Sequence, residues 1–302
     1  MTLKRQIVCA CLAVFVVGAH ARADLVCHWP LDGDFLNIVD PNFDGYLDMK
    51  AGSVVKFTPV EDLGGVAPAQ KLAAEFTGVG SWIQTDYPGI EGASPRTFTA
   101  WIKTGQPGQN DILGYGVPVN TQKFHLRVNN TAGNGLVGAI RTEYQGGQNV
   151  GTDLVDDGIW HHVAVVFPEG ATIGAELIHY VDGVVQGRTG NGKLGILSNT
   201  SNPLYHLTIG LSRQSATSNR WYVGQIADVR VYDHGLTAQN IVEVMNDEEL
   251  TEPTDCSTLE INCEASKDGN VTATLTTDPD GCTCAGVEVA VNGEARGSAG
   301  VV

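Results

Sequence analysis

Basic residues are scarce in this chain. Its 302 residues include 18 Lys+Arg against 34 Asp+Glu, which gives a formal net charge of −16 at pH 7. Such a chain repels phosphate backbones and anionic membrane surfaces, so we expect no nucleic-acid partner. The surplus of carboxylates is compatible with calcium, which prefers oxygen ligands, but solubility alone also explains it.

Long apolar runs are lacking outside the first 23 residues. In that segment two basic residues precede the apolar run 7–17, and small residues follow at Ala21 and Ala23. This pattern is typical of a secretory signal peptide, and its apolar core is too short to span a bilayer. We therefore expect a secreted protein, whether extracellular, periplasmic or at the cell surface, without membrane insertion.

Long helical faces are scarce as well, because charged residues make up only 17% of the chain and glycine is abundant at 37 residues. Strand patterns take their place. The segments "TFTAWIK" (97–103) and "KFHLRVN" (123–129) alternate apolar and polar residues, and Asp182-Gly183 separates two strand-like halves. Such alternation and such turns are typical of antiparallel sheets with one buried face. The sequence thus predicts an all-β sandwich of two antiparallel sheets.

One helix is predicted near residue 240. Thr237 is a suitable N-cap, and Ile241, Val244 and Met245 fall on one side of the helix that follows. The acidic stretch 247–255 lacks this periodicity and contains Pro253, so we interpret it as a linker.

Most cysteines of the expected mature chain lie after this linker. Cys256, Cys263, Cys282 and Cys284 have the spacing C-x6-C-x18-C-x-C, which does not match the usual zinc patterns. In an exported chain we expect two disulfides, with three possible connectivities. Cys27 is either a free, buried thiol or a partner of one of these four.

Residues 256–302 contain two strand-like segments, "NVTATLTT" and "GVEVAVNGEARG", but are too few for a complete immunoglobulin-type sandwich. We therefore expect a partial β module here, either a disulfide-held fragment or the start of an immunoglobulin-like domain in a longer chain that could contain further domains, and we favour the second alternative. The predicted organisation is a signal peptide (1–23), a jelly-roll domain (24–246), an acidic linker (247–255) and the partial module (256–302).

An ordered set of short motifs supports the fold class. These motifs are "HWPLDGD", "GIWHHVAVVF", "HYVDGVVQG", "LTIGLSR" and "GQIADVRVYDHGLT". Together they resemble the laminin-G-like domains of the concanavalin A-like lectin/glucanase superfamily over roughly residues 26–246. The resemblance implies a jelly-roll sandwich but not one function, since such folds include lectins, glucanases, adhesion modules and spacers.

Catalytic motifs are missing. Glucanases of the resembled superfamily carry Glu-x-Asp-x-x-Glu on one strand, whereas Glu143 and Glu176 are isolated here and Met245 occupies the Asp position between Glu243 and Glu248. The adjacent pair His161-His162 cannot converge on one metal or substrate atom, because neighbouring strand residues point to opposite faces. We expect no enzyme.

Two binding hypotheses remain. Exposed aromatic residues could stack on sugars, and the candidates are Trp82, Tyr115, Trp221 and Tyr222, although each could instead be buried sheet packing. Asp40, Asn42 and Asp44 precede or flank Gly45 like the start of a calcium loop, although they could simply form turns. The family resemblance implies that Asp228 on the last long strand would complete the calcium site.

The sequence therefore favours a secreted, non-catalytic recognition or adhesion module. Its ligand would be a glycan or an extracellular protein, and calcium could stabilise it. Two alternatives stay open: an accessory domain of a larger secreted glycoside hydrolase, and a structural spacer of a surface protein.

Overall fold

A computed structural model describes residues 24–48, 53–61, 66–105, 110–213 and 219–251, together with four strands further on, β17 Ile261–Ala265, β18 Val271–Leu275, β19 Glu288–Val291 and β20 Glu294–Ser298. The chain divides into two compact units, and Arg22–Thr251 is the larger. The division at residue 251 falls within the predicted linker 247–255. The predicted signal peptide lies outside the described residues.

Strands make up most of the regular secondary structure in the described part of the larger unit. They are β1 Leu25–Trp29, β2 Lys56–Pro59, β3 Leu72–Thr77, β4 Ile83–Gln84, β5 Arg96–Lys103, β6 Asn110–Gly116, β7 Lys123–Val128, β8 Ala139–Glu143, β9 Gln148–Leu154, β10 Trp160–Phe167, β11 Ile178–Val181, β12 Val184–Val185, β13 Thr208–Ile209, β14 Leu211–Arg213, β15 Asn219–Trp221 and β16 Val223–Tyr232. Short 3-10 helices cover Pro41–Phe43, Ala132–Asn134, Gly174–Glu176 and Pro203–Tyr205, and helix α1 covers Ala238–Met245.

The strands form two main antiparallel sheets. One has eight strands in the order β12-β11-β10-β5-β16-β3-β2, with β1 also pairing with β16. The other has six strands in the order β4-β13-β6-β7-β8-β9, and β14 and β15 form a separate hairpin. This confirms the predicted all-β, concanavalin A-like jelly-roll sandwich.

The core lies between the two sheets and follows the predicted alternation. Phe98, Ala100 and Ile102 of β5 face this core, as do Phe124 and Leu126 of β7. Ring centroids of Phe98 and Phe124 lie 5.5 Å apart, so side chains of the two sheets meet directly. Every second residue of a strand points into this layer, and the inward-pointing residues of these strands are apolar.

Helix α1 covers the outer face of the eight-stranded sheet, which is the face turned away from this core. Thr237 caps the helix as predicted, since its side chain accepts a hydrogen bond from the Asn240 backbone N–H. Ile241 and Val244 pack on buried residues of β10, β11 and β16. Among the described residues no helix is long and apolar enough to cross a membrane.

The adjacent histidines on β10 diverge, as strand geometry predicts. His161 has the parity of Val163, which lies in the core, and its ring bonds Asp182 at 2.8 Å from the end of the strand. His162 has the opposite parity and packs against Trp101 with ring centroids 5.4 Å apart. The two rings therefore share no ligand, and both have packing or local hydrogen-bonding roles.

Cys27 on β1 is a free, buried thiol, which was the first of its two predicted states. Burial raises the pKa of this thiol to about 12, so it stays protonated and inert at neutral pH. The predicted disulfides fall elsewhere: Cys256, Cys282 and Cys284, and the side chain of Cys263 in β17, lie outside the described residues.

Candidate binding face of the six-stranded sheet

The outer face of the six-stranded sheet carries polar and charged side chains in register. On β4, Ile83 enters the core, so Trp82 and Gln84 have the opposite parity. The cross-strand partners of Gln84 continue as one row of residues across the sheet. This row comprises Gln84, Thr208, Gly114, His125, Glu143 and Gln148. Directly paired residues point to the same face, so these belong to one surface.

A glycine makes room for the histidine of this row. A Cβ atom on Gly114 would lie only 2.6 Å from the ring of His125, so the imidazole lies close over β6. Burial, together with the nearby Lys123 ammonium, holds the pKa of His125 well below its ordinary value. His125 is therefore neutral at physiological pH and adds no charge to the face.

Glu143 is the centre of a cationic cluster. Its Oε1 lies 3.0 Å from Lys123 Nζ. Its Oε2 accepts three guanidinium groups: Arg127 Nη1 at 2.8 Å, Arg141 Nη2 at 3.2 Å and Arg220 Nη1 at 3.1 Å. Burial alone would raise the pKa of Glu143, but Lys123 and the arginines outweigh it and hold that pKa well below its usual range. Glu143 is therefore ionised and has no proton to donate.

Asp111 and Arg127 lie beside this cluster with incomplete hydrogen bonding. Asp111 Oδ1 is 3.6 Å from Arg127 Nε, and both side chains are fully buried. Within the described part of the chain, both Asp111 carboxylate oxygens and the Arg127 Nε and Nη2 groups have no hydrogen-bond partner. Unpartnered buried polar atoms are rare in folded proteins, because each costs about 1–3 kcal/mol of desolvation.

We call six charged residues of this surface the charged face. They are Asp111, Lys123, Arg127, Arg141, Glu143 and Arg220. Four of them are cationic and two are anionic, as the ion pairs define them. The hairpin strand β15 supplies Arg220, whose side chain is 27% exposed and therefore the most accessible of the cations.

Two of the four predicted aromatic residues, Trp82 and Trp221, pack against each other. Trp82 and Trp221 pack with ring centroids 5.3 Å apart, and Trp221 immediately follows Arg220 on β15. Trp82 is buried and its indole N–H has no acceptor among the described residues, whereas Trp221 is half-buried. Trp221 is thus the more accessible of the two rings.

The other two aromatic candidates lie in the core, which corrects the expectation of exposed rings. Tyr115 is buried between Phe98 and Phe124, and its hydroxyl accepts a hydrogen bond from Arg96 Nη1. Tyr222 is fully buried in the same interior core. Neither ring offers a free face for a sugar, because interior packing covers both.

The predicted calcium residues do not converge. Asp40 caps its own turn by accepting hydrogen bonds from the backbone and side chain of Asn42, and Asp44 accepts one from Asn37 N–H. Asp228 is buried elsewhere, in ion pairs with His28 and Arg230. Among the described residues no group of three or more His, Cys, Asp or Glu side chains could hold a metal ion. In this arrangement the residues do not fit a calcium ion, and calcium binding stays a prediction.

The sequence pattern predicted two neighbouring residues of the charged face but did not identify Glu143 as its centre. Alternation along 123–129 already places Lys123, His125 and Arg127 on one side of β7. Glu143 looked isolated because its partners come from β7, β8 and β15, which only the sheet register brings together.

Comparisons with known proteins agree with this architecture. A family model described as the concanavalin A-like lectin/glucanases superfamily matches residues 77–242. No match is found among the curated proteins. Domain 4 of AbnA, a GH43 extracellular arabinanase from Geobacillus stearothermophilus, solved with arabinotriose, is 16% identical with a TM-score of 0.52, over 74% of this chain and 98% of that domain.

Two further solved structures are less similar. Trypanosoma rangeli sialidase is 15% identical to this chain, with a TM-score of 0.47. The match covers 74% of this chain and 32% of that enzyme. The CBM40 of a Ruminococcus gnavus sialidase, bound to sialyllactose, is 15% identical with a TM-score of 0.41 over 57% of this chain and 96% of that module. Since the family model matches more than half of its residues, this chain belongs to the concanavalin A-like lectin/glucanase superfamily.

Proposed function

We propose that this protein is a secreted, non-catalytic carbohydrate-binding module whose ligand occupies the charged face. The observation that carries the proposal is the set of unpartnered buried atoms on Asp111 and Arg127 of the charged face. The hairpin strand that supplies Arg220 to this face also carries Trp221, which packs against Trp82. A sugar hydroxyl can donate to a carboxylate and accept from a guanidinium at the same time, and an indole ring can pack against a sugar ring. One carbohydrate ligand would therefore satisfy all three features.

A carbohydrate is the first ligand class to test because of the fold. Domain 4 of the arabinanase was solved with arabinotriose, and its likeness to this chain is one of fold. An extracellular protein ligand is the competing hypothesis. The accessory domain of a larger glycoside hydrolase and the structural spacer also remain, since fold alone does not decide among them.

A binding role is favoured over catalysis by the charge state of Glu143. Glycosidases use two carboxyl groups, one of which must be protonated to act as the general acid. Glu143 is surrounded by four cations that keep it ionised, and Asp111 lies next to the Arg127 guanidinium. Incubation of the purified protein with each ligand it binds should release no sugar, as measured by reducing-end assay.

A glycan array, run with and without calcium, tests the proposal directly. We expect binding to a defined subset of glycans and at least about tenfold weaker binding by Trp221→Ala, since aromatic stacking is lost. Trp221→Phe keeps an aromatic face and should retain most of the affinity. Unchanged binding by both Trp221→Ala and Trp82→Ala, with melting temperatures showing that both fold, would remove the charged face as the site.

The same array tests calcium. If calcium contributes, binding and melting temperature both rise when it is added, and calorimetry detects heat on titration.

Export is tested separately. N-terminal sequencing of the protein recovered from outside the cytoplasm should begin at Asp24, after removal of residues 1–23.

A further inference from the structure

We infer that the carbohydrate bound at the charged face carries an anionic group, a carboxylate or a sulfate, which makes the ligand an acidic sugar. This inference rests on the proposed function and goes beyond it in naming the chemical class of ligand. It is carried by the charge and hydrogen-bonding state of side chains that the fold has already buried together.

The first observation is a local excess of positive charge. Four cationic side chains face two carboxylates on the charged face, within a chain whose formal net charge is −16. Buried charges are costly unless they are paired and hydrogen-bonded. Two further negative charges would balance the six residues of the charged face.

The second observation is that Glu143 is shared among too many donors. A carboxylate offers about four acceptor positions on its two oxygens. Here Oε2 alone accepts Arg127, Arg141 and Arg220, while Oε1 accepts Lys123. Three guanidinium groups on one oxygen exceed its two lone pairs. Among the described residues, Arg127 Nε and Nη2 and Arg141 Nε have no hydrogen-bond acceptor, so these two guanidinium groups can bind a further one.

The third observation identifies where the anion would bind. Arg220 is the most exposed of the four cations at 27%, and it comes from the hairpin strand β15. Arg141 beside it has a buried Nε without a partner in the described part of the chain. Guanidinium groups are suited to bidentate binding of a carboxylate or sulfate, and Arg220 is the one of these cations that reaches the solvent.

The fourth observation distinguishes an acidic sugar from a simple anion. Asp111 is fully buried, and both of its oxygens lack hydrogen-bond donors among the described residues. A second anion would be repelled by this carboxylate, whereas a hydroxyl group would donate to it. A ligand that satisfies both ends of the face therefore needs hydroxyl donors and an anionic group in one molecule.

The experiment compares acidic glycans with neutral counterparts of the same backbone. Oligogalacturonate and its carboxyl-reduced form make one pair, and a sulfated oligosaccharide and its desulfated form make another. Sialylated and neutral oligosaccharides complete the panel, and binding is measured by calorimetry at low and high salt. We expect at least one acidic member to bind at least about tenfold more tightly than its neutral counterpart, with an affinity that falls as salt rises.

A substitution on the charged face sharpens the result. Arg220→Gln removes the most exposed cation and should fold, because its side chain is partly solvated. We expect it to reduce the preference for the acidic member at least about fivefold, as expected for loss of a charge-assisted contact. Lys56→Gln on strand β2 of the other sheet removes the same charge from an exposed position and should leave the preference unchanged.

The outcomes separate the inference from the proposed function. Preference for the carboxylated pair identifies a carboxylate as the anionic group, and preference for the sulfated pair identifies a sulfate. Equal affinity for acidic and neutral members would overturn the inference while leaving the carbohydrate-binding proposal intact. A panel with no binding to any glycan, acidic or neutral, would overturn the proposed function itself.

Discussion

The two sheets of the sandwich differ in what covers their outer faces. Helix α1 and buried apolar residues, among them Trp101 and Trp160, close the outer face of the eight-stranded sheet. The charged face of the six-stranded sheet instead holds buried ions around Glu143 with unpartnered donors and acceptors. The first face is covered by the protein's own helix, although Trp160 Nε1 and both ring nitrogens of His162 have no hydrogen-bond partner there in the described part of the chain. On the second face the unpartnered atoms belong to charged side chains, whose partners a ligand can supply. The two faces therefore differ in what covers them and in the charge of their unpartnered groups, and both contain buried atoms without a hydrogen-bond partner.

The largest expected effect is loss of stability in acid, and it involves buried histidines in both parts of this comparison. Burial lowers the pKa of His162, on the outer face of the eight-stranded sheet, to about 4. It lowers the pKa of His179, which joins the two sheets through a 2.8 Å bond to Thr142, to about 4 as well. Burial also lowers the pKa of His125, which lies on the same sheet surface as the charged face.

These pKa values fix the sign of the pH dependence. The unfolded histidines bind protons near pH 6.5 and the folded ones only near pH 4, so stability is complete above about pH 6.5 and falls as the pH drops toward 4. Each of His162 and His179 contributes roughly 3 kcal/mol to this loss, since one pKa unit corresponds to about 1.4 kcal/mol. His161 has a raised pKa and opposes the trend, because its contribution is present below pH 6.5. Urea unfolding at several pH values measures the slope, and stability that does not change across this window contradicts the burial of these rings.

The next effect compares two buried glutamates in different surroundings. Glu143→Gln leaves four cations on the charged face with only Asp111, and removal of one partner from a buried ionic network costs about 4 kcal/mol. Glu243 on α1 instead accepts hydrogen bonds from the neutral donors Asn240 and Thr251, which lower its pKa to about 2 against the raising effect of burial. Glu243→Gln should therefore cost less, about 1–2 kcal/mol. Chemical denaturation measures both, and equal losses would mean that the cations do not depend on Glu143.

A cavity on the closed face comes next. Ile241 is fully buried between α1 and the eight-stranded sheet, so Ile241→Ala should reduce the free energy of unfolding by about 3 kcal/mol. Glycan affinity per folded molecule should stay at the wild-type value, because the charged face belongs to the other sheet. A parallel loss of affinity, measured well below the melting temperature, would show that the two faces are coupled.

The sequence predicted the sandwich well, because alternation decides which residues face the core and does not depend on which strands are neighbours. Phe98, Ala100 and Ile102 needed only their own strand to be assigned correctly, and Ile241 and Val244 only their helical spacing. This is why the all-β fold and the helix after Thr237 could be predicted.

The charged face was less predictable because it depends on the register between strands that are distant in sequence. Glu143 meets Arg127 across one strand pair and Arg220 from a hairpin 77 residues away, and no local pattern encodes that meeting. Tyr115 and Tyr222 were misjudged for a related reason. Aromatic residues serve cores and sugar sites alike, and only packing against Phe98 or Phe76 shows which role applies.

The smallest effect concerns the histidine on the closed face. Both ring nitrogens of His162 lack hydrogen-bond partners in the described structure, and the ring lies against Trp101. His162→Phe replaces these atoms with carbon at similar volume and should change the unfolding free energy by less than about 1 kcal/mol at pH 7. It should also remove the His162 share of the acid slope, whereas His162→Ala creates a cavity and lowers the melting temperature. If His162→Phe weakens glycan binding while leaving the melting temperature intact, then the closed face also takes part in recognition, and the contrast between the two sheets does not hold.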